Sequence, residues 1–189
     1  MIKKITNILC IVTLTFLAGC LGVEKKEYSF KLKDGQSGTA TIKYINIFST
    51  DDNEKDVSFK DFGELVSDYL EGNKIEQDYS GIRDVKKRLF IENNTLCGEI
   101  TFAFDSLSHV KMFRYEDGPY MFYVNSGSSP SEKFETSNDT FGGEKMPVIF
   151  WNKNTKDFQF RTLVTEDVTG KRSFVKLYKM WQSSLNEAK

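Results

Sequence analysis

The feature that most constrains the fold is a two-residue alternation of aromatic and aliphatic side chains, repeatedly interrupted by turn-forming residues. Tyr28, Phe30 and Leu32 alternate with polar positions, Asp34-Gly35 supplies a turn, and Ala40, Ile42 and Tyr44 resume the pattern before Ile45 and Ile47. Side chains in a strand point to opposite faces in turn, so this period marks strands with one covered face. A first hairpin is expected here, and the same logic predicts three more. Val85, Leu89 and Ile91 lead to Asn93-Asn94, followed by Ile100, Phe102 and Phe104. Met112 to Tyr115 and Tyr120 to Val124 flank Glu116-Asp117-Gly118-Pro119. Val148 to Trp151 and Phe158 to Leu163 flank Asn152-Lys153-Asn154-Thr155.

Two segments change period. Phe59, Phe62, Leu65, Val66, Tyr69 and Leu70 fall on one side of a helix, with Ser58 and Asp61 placed to cap its start and Gly72 to end it. Phe174, Leu177, Tyr178, Trp181 and Leu185 have the spacing of a second amphipathic helix. Its cations Lys171, Arg172, Lys176 and Lys179, next to Trp181, also suit an anionic membrane surface, but docking of the apolar stripe on the sheet is the favoured use. From Ser126 to Gly143 the composition turns to Ser, Asn, Gly and Thr, which predicts a long surface loop. The expected fold class is α+β: an antiparallel sheet built from hairpins, with about two helices packed on one face. Sixteen Phe and eight Tyr supply enough apolar surface for a core.

The first residues obey a different logic. Lys3 and Lys4 precede an uncharged apolar run from Ile8 to Ala18, which has the layout of a secretory signal and is too short to span a bilayer. The run ends in Leu17-Ala18-Gly19-Cys20: a large apolar residue, two small ones that fit a narrow protease cleft, and a cysteine. This resembles the lipobox of bacterial prolipoproteins. The resemblance implies cleavage before Cys20, with acyl chains on that cysteine holding the protein to a membrane. Its implied domain plan is a signal peptide over residues 1–19, a short lipidated tether over 20–27, and a single domain over 28–189. Leu21, as a residue other than Asp after the cysteine, leans toward the periplasmic face of the outer membrane if the host is Gram-negative. Residues 21–27 reach roughly 25 Å at full extension, so the domain is expected close to its membrane.

Composition removes several function classes. Loss of residues 1–19 takes Lys3 and Lys4 and no acid from a net charge of −1, leaving −3. That balance makes no electrostatic case for nucleic acid. With Cys10 cleaved away and Cys20 lipidated, Cys97 is the remaining thiol, so no intramolecular disulfide is expected. His109 is the single histidine, which excludes metal sites built from several histidines. No cofactor or metal is expected.

Cys97 and His109 would make a thiol–imidazole pair only if the fold joined them, and a cysteine inside a strand is more often a small buried hydrophobe. Asp51 to Asp56 clusters carboxylates, but without the ligand spacing of a helix-loop-helix calcium site, and reads as a solvated loop. The aromatic strands around Tyr115, Tyr120 and Phe122 are the candidate ligand surface, although alternation means that the aromatics there cannot all face one way. The functional expectation is a non-enzymatic envelope module, binding an envelope protein or a small apolar ligand. The alternatives are an envelope enzyme acting on glycans through carboxylates, and a structural outer-membrane lipoprotein.

Overall fold

The structure is a computed structural model that describes residues 21–124 and 132–187; Cys20 lies outside the described residues. It is an α+β fold with antiparallel sheets, and strands in chain order are β1 (Leu21–Leu32), β2 (Gly38–Ser49), β3 (Ile82–Glu92), β4 (Thr95–Phe104), β5 (Met112–Arg114), β6 (Tyr120–Tyr123), β7 (Lys133–Ser137), β8 (Thr140–Phe141), β9 (Val148–Trp151), β10 (Asp157–Leu163) and β11 (Arg172–Ser173). The large sheet runs β3-β4-β2-β1-β10-β7, with β11 paired to the end of β2. A second sheet runs β5-β6-β9-β8. Helix α1 (Ser58–Glu64) continues as π-helical turns over Leu65–Glu71, and α2 (Val175–Glu187) closes the fold.

One face of the large sheet carries both core clusters. Phe30, Ile42, Phe102 and Phe158 lie on that face and pack against Met112, Phe122, Ile149 and Trp151 of the small sheet. At the other end of the same face, Ile47 and Leu96 pack against Phe62 and Leu65 from the first helix and Phe174 and Tyr178 from the last. The opposite face is polar, and ion pairs cross its strands: Lys43 bridges Glu92 at 2.5 Å, and Arg161 pairs with Glu27.

The predicted helices and the hairpins β1–β2, β3–β4 and β5–β6 are present, but four details differ from expectation. The single sheet is two sheets, because β9 and β10 do not form the fourth hairpin. Their tight turn, closed by Thr155 N donating to the Asn152 carbonyl at 2.9 Å, instead carries the chain from one sheet to the other. Trp151 and Phe158 consequently meet edge to face, 5.3 Å apart, across the core.

Residues 21–27, expected as a tether, are the first half of β1, paired from Leu21 opposite Ser49 onward. Pairing skips Glu24 and Asn46, and Asn46 takes a left-handed conformation at φ 55°. That step out of the pleat brings Ile47 and Ser49 onto the face already used by Ile42 and Tyr44, which is why plain alternation lost the strand here. Within the expected loop over 126–143, β7 and β8 are strands, and Phe134 stacks on Phe141 at 3.9 Å. Finally, Ser58 does not cap α1 with its hydroxyl; Val57 holds the capping position, and Ser58 N donates to the Asp56 carboxylate at 2.9 Å.

Candidate functional site: a cavity at the seam of two cores

The small sheet packs in one core cluster and helices α1 and α2 in the other. Between them, over the middle of the large sheet, lies a cavity of about 520 Å³. Its floor is Tyr28, Phe30, Tyr44, Ile47 and Gly98. Val110, Phe122 and Val124 make one wall, and Leu65, Tyr69, Ile75 and Tyr79 the other. Gly98 opens the floor: a Cβ there would stand 3.1 Å from Ile47 Cδ1 and 3.3 Å from Leu89 Cδ2. Leu21, Gly22 and Val23, at the start of β1, also line the space, together with Val164 and Thr165. This start of β1 is pinned. Val164 N donates to the Glu24 carbonyl at 2.8 Å, and Thr165 Oγ1 donates to the Val23 carbonyl at 2.8 Å.

Among the carboxylate residues that line this space, Asp78, Glu99 and Glu132, the last is held by three side-chain donors. Glu132 accepts hydrogen bonds from Lys26 Nζ at 2.7 Å, from the Tyr28 hydroxyl at 2.9 Å and from Thr162 Oγ1 at 2.6 Å. Burial pushes the Glu132 carboxyl up, but the adjacent Lys26 ammonium and the three donors outweigh it, and the net shift is below the usual carboxylate range. Burial first, then the Glu132 charge on all three and the Asp78 charge on Tyr44 and Tyr79, raises the phenols of Tyr28, Tyr44 and Tyr79, which therefore stay neutral. Toward the rim, Lys87 is held by Glu76 at 2.8 Å, and the Lys111 ammonium sits 5.4 Å from the centre of the Tyr79 ring.

Glu132 is poorly suited to act as a general acid. A general acid must carry a proton near the working pH, and Glu132 is held ionised with its oxygens already engaged. Cys97 is fully buried, with its sulfur 3.8 Å from Thr95 Oγ1 near the β3–β4 turn. His109 follows the far end of β4, its ring against Gly81 and its Nδ1 buried without a hydrogen-bond partner among the described residues. The strand from Cys97 to Phe104 alone spans about 24 Å, so the two are not a catalytic pair. Among the described residues no cluster of three or more potential metal ligands forms. In the Asp51–Asp56 segment, Asp51 takes two hydrogen bonds from Arg172, at 2.9 and 2.8 Å.

The chain matches no protein-family model, no curated protein and no solved structure. Function therefore has to be argued from the site.

Of the three aromatics singled out as a ligand surface, Phe122 lines the cavity. Tyr120 is buried beside it in the core, edge to face with Phe158 at 5.1 Å and with Arg114 4.9 Å from its ring centre. Tyr115 is 73% exposed and is not among the residues that line the cavity. Tyr120 and Phe122, two residues apart in β6, share the buried face, and Tyr115 lies just past the end of β5. Sequence reasoning missed Glu132, one of 27 acids and sited in a stretch read as loop. It also missed Tyr44 and Tyr79, whose partnership with Tyr28 depends on pairing across the sheet. Gly98, flanked by the strand residues Cys97 and Glu99, was the one available signal, since glycine inside a strand often marks a close approach.

Proposed function

We propose that this protein is a lipoprotein of the bacterial envelope, anchored through acyl chains on Cys20, that holds a small apolar ligand close to its membrane. The observation that carries the reading is the cavity itself: a space of about 520 Å³, within the usual range of ligand sites, whose wall includes Leu21, the residue next to Cys20. The apolar side chains Phe30, Ile47, Leu65, Val110 and Phe122 suit an apolar body, the charged residues Lys26, Asp78 and Glu132 suit a polar end, and the neutral hydroxyls of Tyr44 and Tyr79 can give it hydrogen bonds. In a Gram-negative host the anchor would lie on the periplasmic face of the outer membrane.

The test has two parts. Cys20→Ala should move the protein from the membrane to the soluble fraction; retention on the membrane sinks the anchor. Native mass spectrometry of residues 21–189 exported to a bacterial periplasm should show a co-purifying small molecule at defined stoichiometry. A bare monomer that also refuses apolar probes would remove the ligand.

A partner protein is the second reading, supported by the outer row of the small sheet. Phe113 pairs with Met121, and Met121 with Phe150, while Phe113, Tyr123 and Met146 are 44%, 41% and 51% exposed. A contiguous apolar surface of this kind marks contact sites.

A further inference from the structure

We infer that, in the anchored protein, one of the acyl chains carried by Cys20 occupies the cavity. This deepens the proposed function and rests on its anchor. The described chain begins at the cavity: Leu21, Gly22 and Val23 are part of its wall, and one residue advances a chain by less than 4 Å. No flexible tether intervenes, because β1 is paired from Leu21 and its start is fastened by Val164 and Thr165. An acyl chain on the residue that precedes Leu21 would therefore be attached within one residue of the cavity wall.

The energetics favour entry. An acyl chain is out of water in the bilayer and in the cavity alike, so moving it between them forfeits little hydrophobic free energy. What remains is the gain from contact with the apolar side chains of the cavity, Phe30, Ile47, Leu65, Val110 and Phe122, and covalent attachment supplies a high effective concentration. An incoming apolar ligand would have to displace this chain and return it to the membrane, so ligand binding and depth of anchoring would be linked.

The probe is cis-parinaric acid, a fatty acid that fluoresces in apolar surroundings. Titrations compare the full lipidated protein in lipid nanodiscs with residues 21–189, which retain every described strand and helix. The unlipidated form should take up about one equivalent. The lipidated form should bind at least ~10-fold more weakly, because its cavity is filled. In the unlipidated form, Gly98→Leu, or Leu70→Trp at the rim if the first does not fold, should weaken uptake by a similar factor.

Equal uptake by lipidated and unlipidated protein would mean the cavity stays free on the membrane; that overturns this inference and leaves the ligand-binding reading intact. Uptake unaffected in both folded filling variants would place the probe elsewhere and also overturn it. No uptake by folded residues 21–189 would remove both readings. An intact mass without lipid on Cys20 would remove the anchor and this inference, and leave the cavity as a site for a free ligand.

Discussion

The Tyr28 hydroxyl donates to Glu132 Oε2 at 2.9 Å, joining residues 104 positions apart in the chain at the cavity. The pair is part of a four-member network with Lys26 and Thr162, and removing different members should have different consequences. Glu132→Gln leaves the half-buried Lys26 ammonium facing an amide, and should lower stability by about 1–3 kcal/mol. Tyr28→Phe removes one donor of three and should lower it by about 1 kcal/mol. Urea unfolding of each variant gives the comparison. Equal losses from the two changes would mean that packing, not the network, holds this corner.

The same carboxylate gives a pH dependence of defined sign. Its folded-state pKa is depressed, so the unfolded chain takes up the proton more readily than the folded one. The stability it contributes is complete above the ordinary range of a glutamate, about 4.3, and is lost as the pH falls through the lower folded value. The stability gap between the native protein and Glu132→Gln should therefore narrow from about pH 7 to about pH 3. A gap constant over that interval would show that Glu132 titrates normally.

A second buried polar contact ties the first helix to the sheet. Ser49 Oγ donates to Asp61 Oδ2 at 2.5 Å, and both residues are buried, 0% and 2% exposed. Ser49→Ala removes the donor and leaves a buried acceptor short of a partner, which should lower stability by about 1–3 kcal/mol. The double variant Ser49→Ala with Asp61→Leu should regain part of that loss, since neither polar group then remains. A double variant weaker than the sum of the single changes would refute the pairing.

The extent to which the sequence disclosed this architecture differs by element. Where one face of a strand meets the core along its whole length, as in β4 from Leu96 to Phe104, period two was visible and the strand was found. Where the pleat changes phase, as at Glu24 and Asn46, the pattern Gly22-Val23-Glu24-Lys25-Lys26 shows no alternation and the strand was taken for a tether. β7 sits on the sheet edge and covers little, so Lys133-Phe134-Glu135-Thr136-Ser137 has the composition of a loop. The turn Asn152–Thr155 has hairpin residues but joins two sheets, and turn chemistry does not distinguish the two outcomes. The site was less legible than the fold. Tyr28, Tyr44 and Tyr79 are ordinary strand or turn residues until cross-strand pairing gathers them, and nothing local marks Glu132 as the acid that meets Lys26.

Cys97 gives a simple check on the β3–β4 hairpin. Its thiol is fully buried, paired across the strands with Phe90, and lies next to Thr95. Reactive thiols sit in exposed electropositive surroundings, whereas this one should ignore alkylating reagents until the hairpin opens. Its labelling rate should follow the denaturant curve of the whole domain. Labelling that is fast in native buffer would show that the hairpin opens locally.

The left-handed conformation of Asn46 carries a prediction about the cavity and not only about stability. Its φ of 55° is tolerated by asparagine and glycine, whereas a β-branched residue is strained there. Its side chain also donates to Glu24 Oε2 at 2.7 Å, beside the skipped pair. Asn46→Gly keeps the backbone step and loses only this hydrogen bond, so it should lower stability by at most about 1 kcal/mol. Asn46→Val opposes the step and should cost about 1–3 kcal/mol. Because the step sets the phase of Ile47 on the floor and of Leu21 and Val23 at the mouth, the valine variant should also lose uptake of an apolar probe. Glycine should preserve it. Unchanged probe uptake in a folded Asn46→Val protein would separate the cavity from the phase change in β1 and β2.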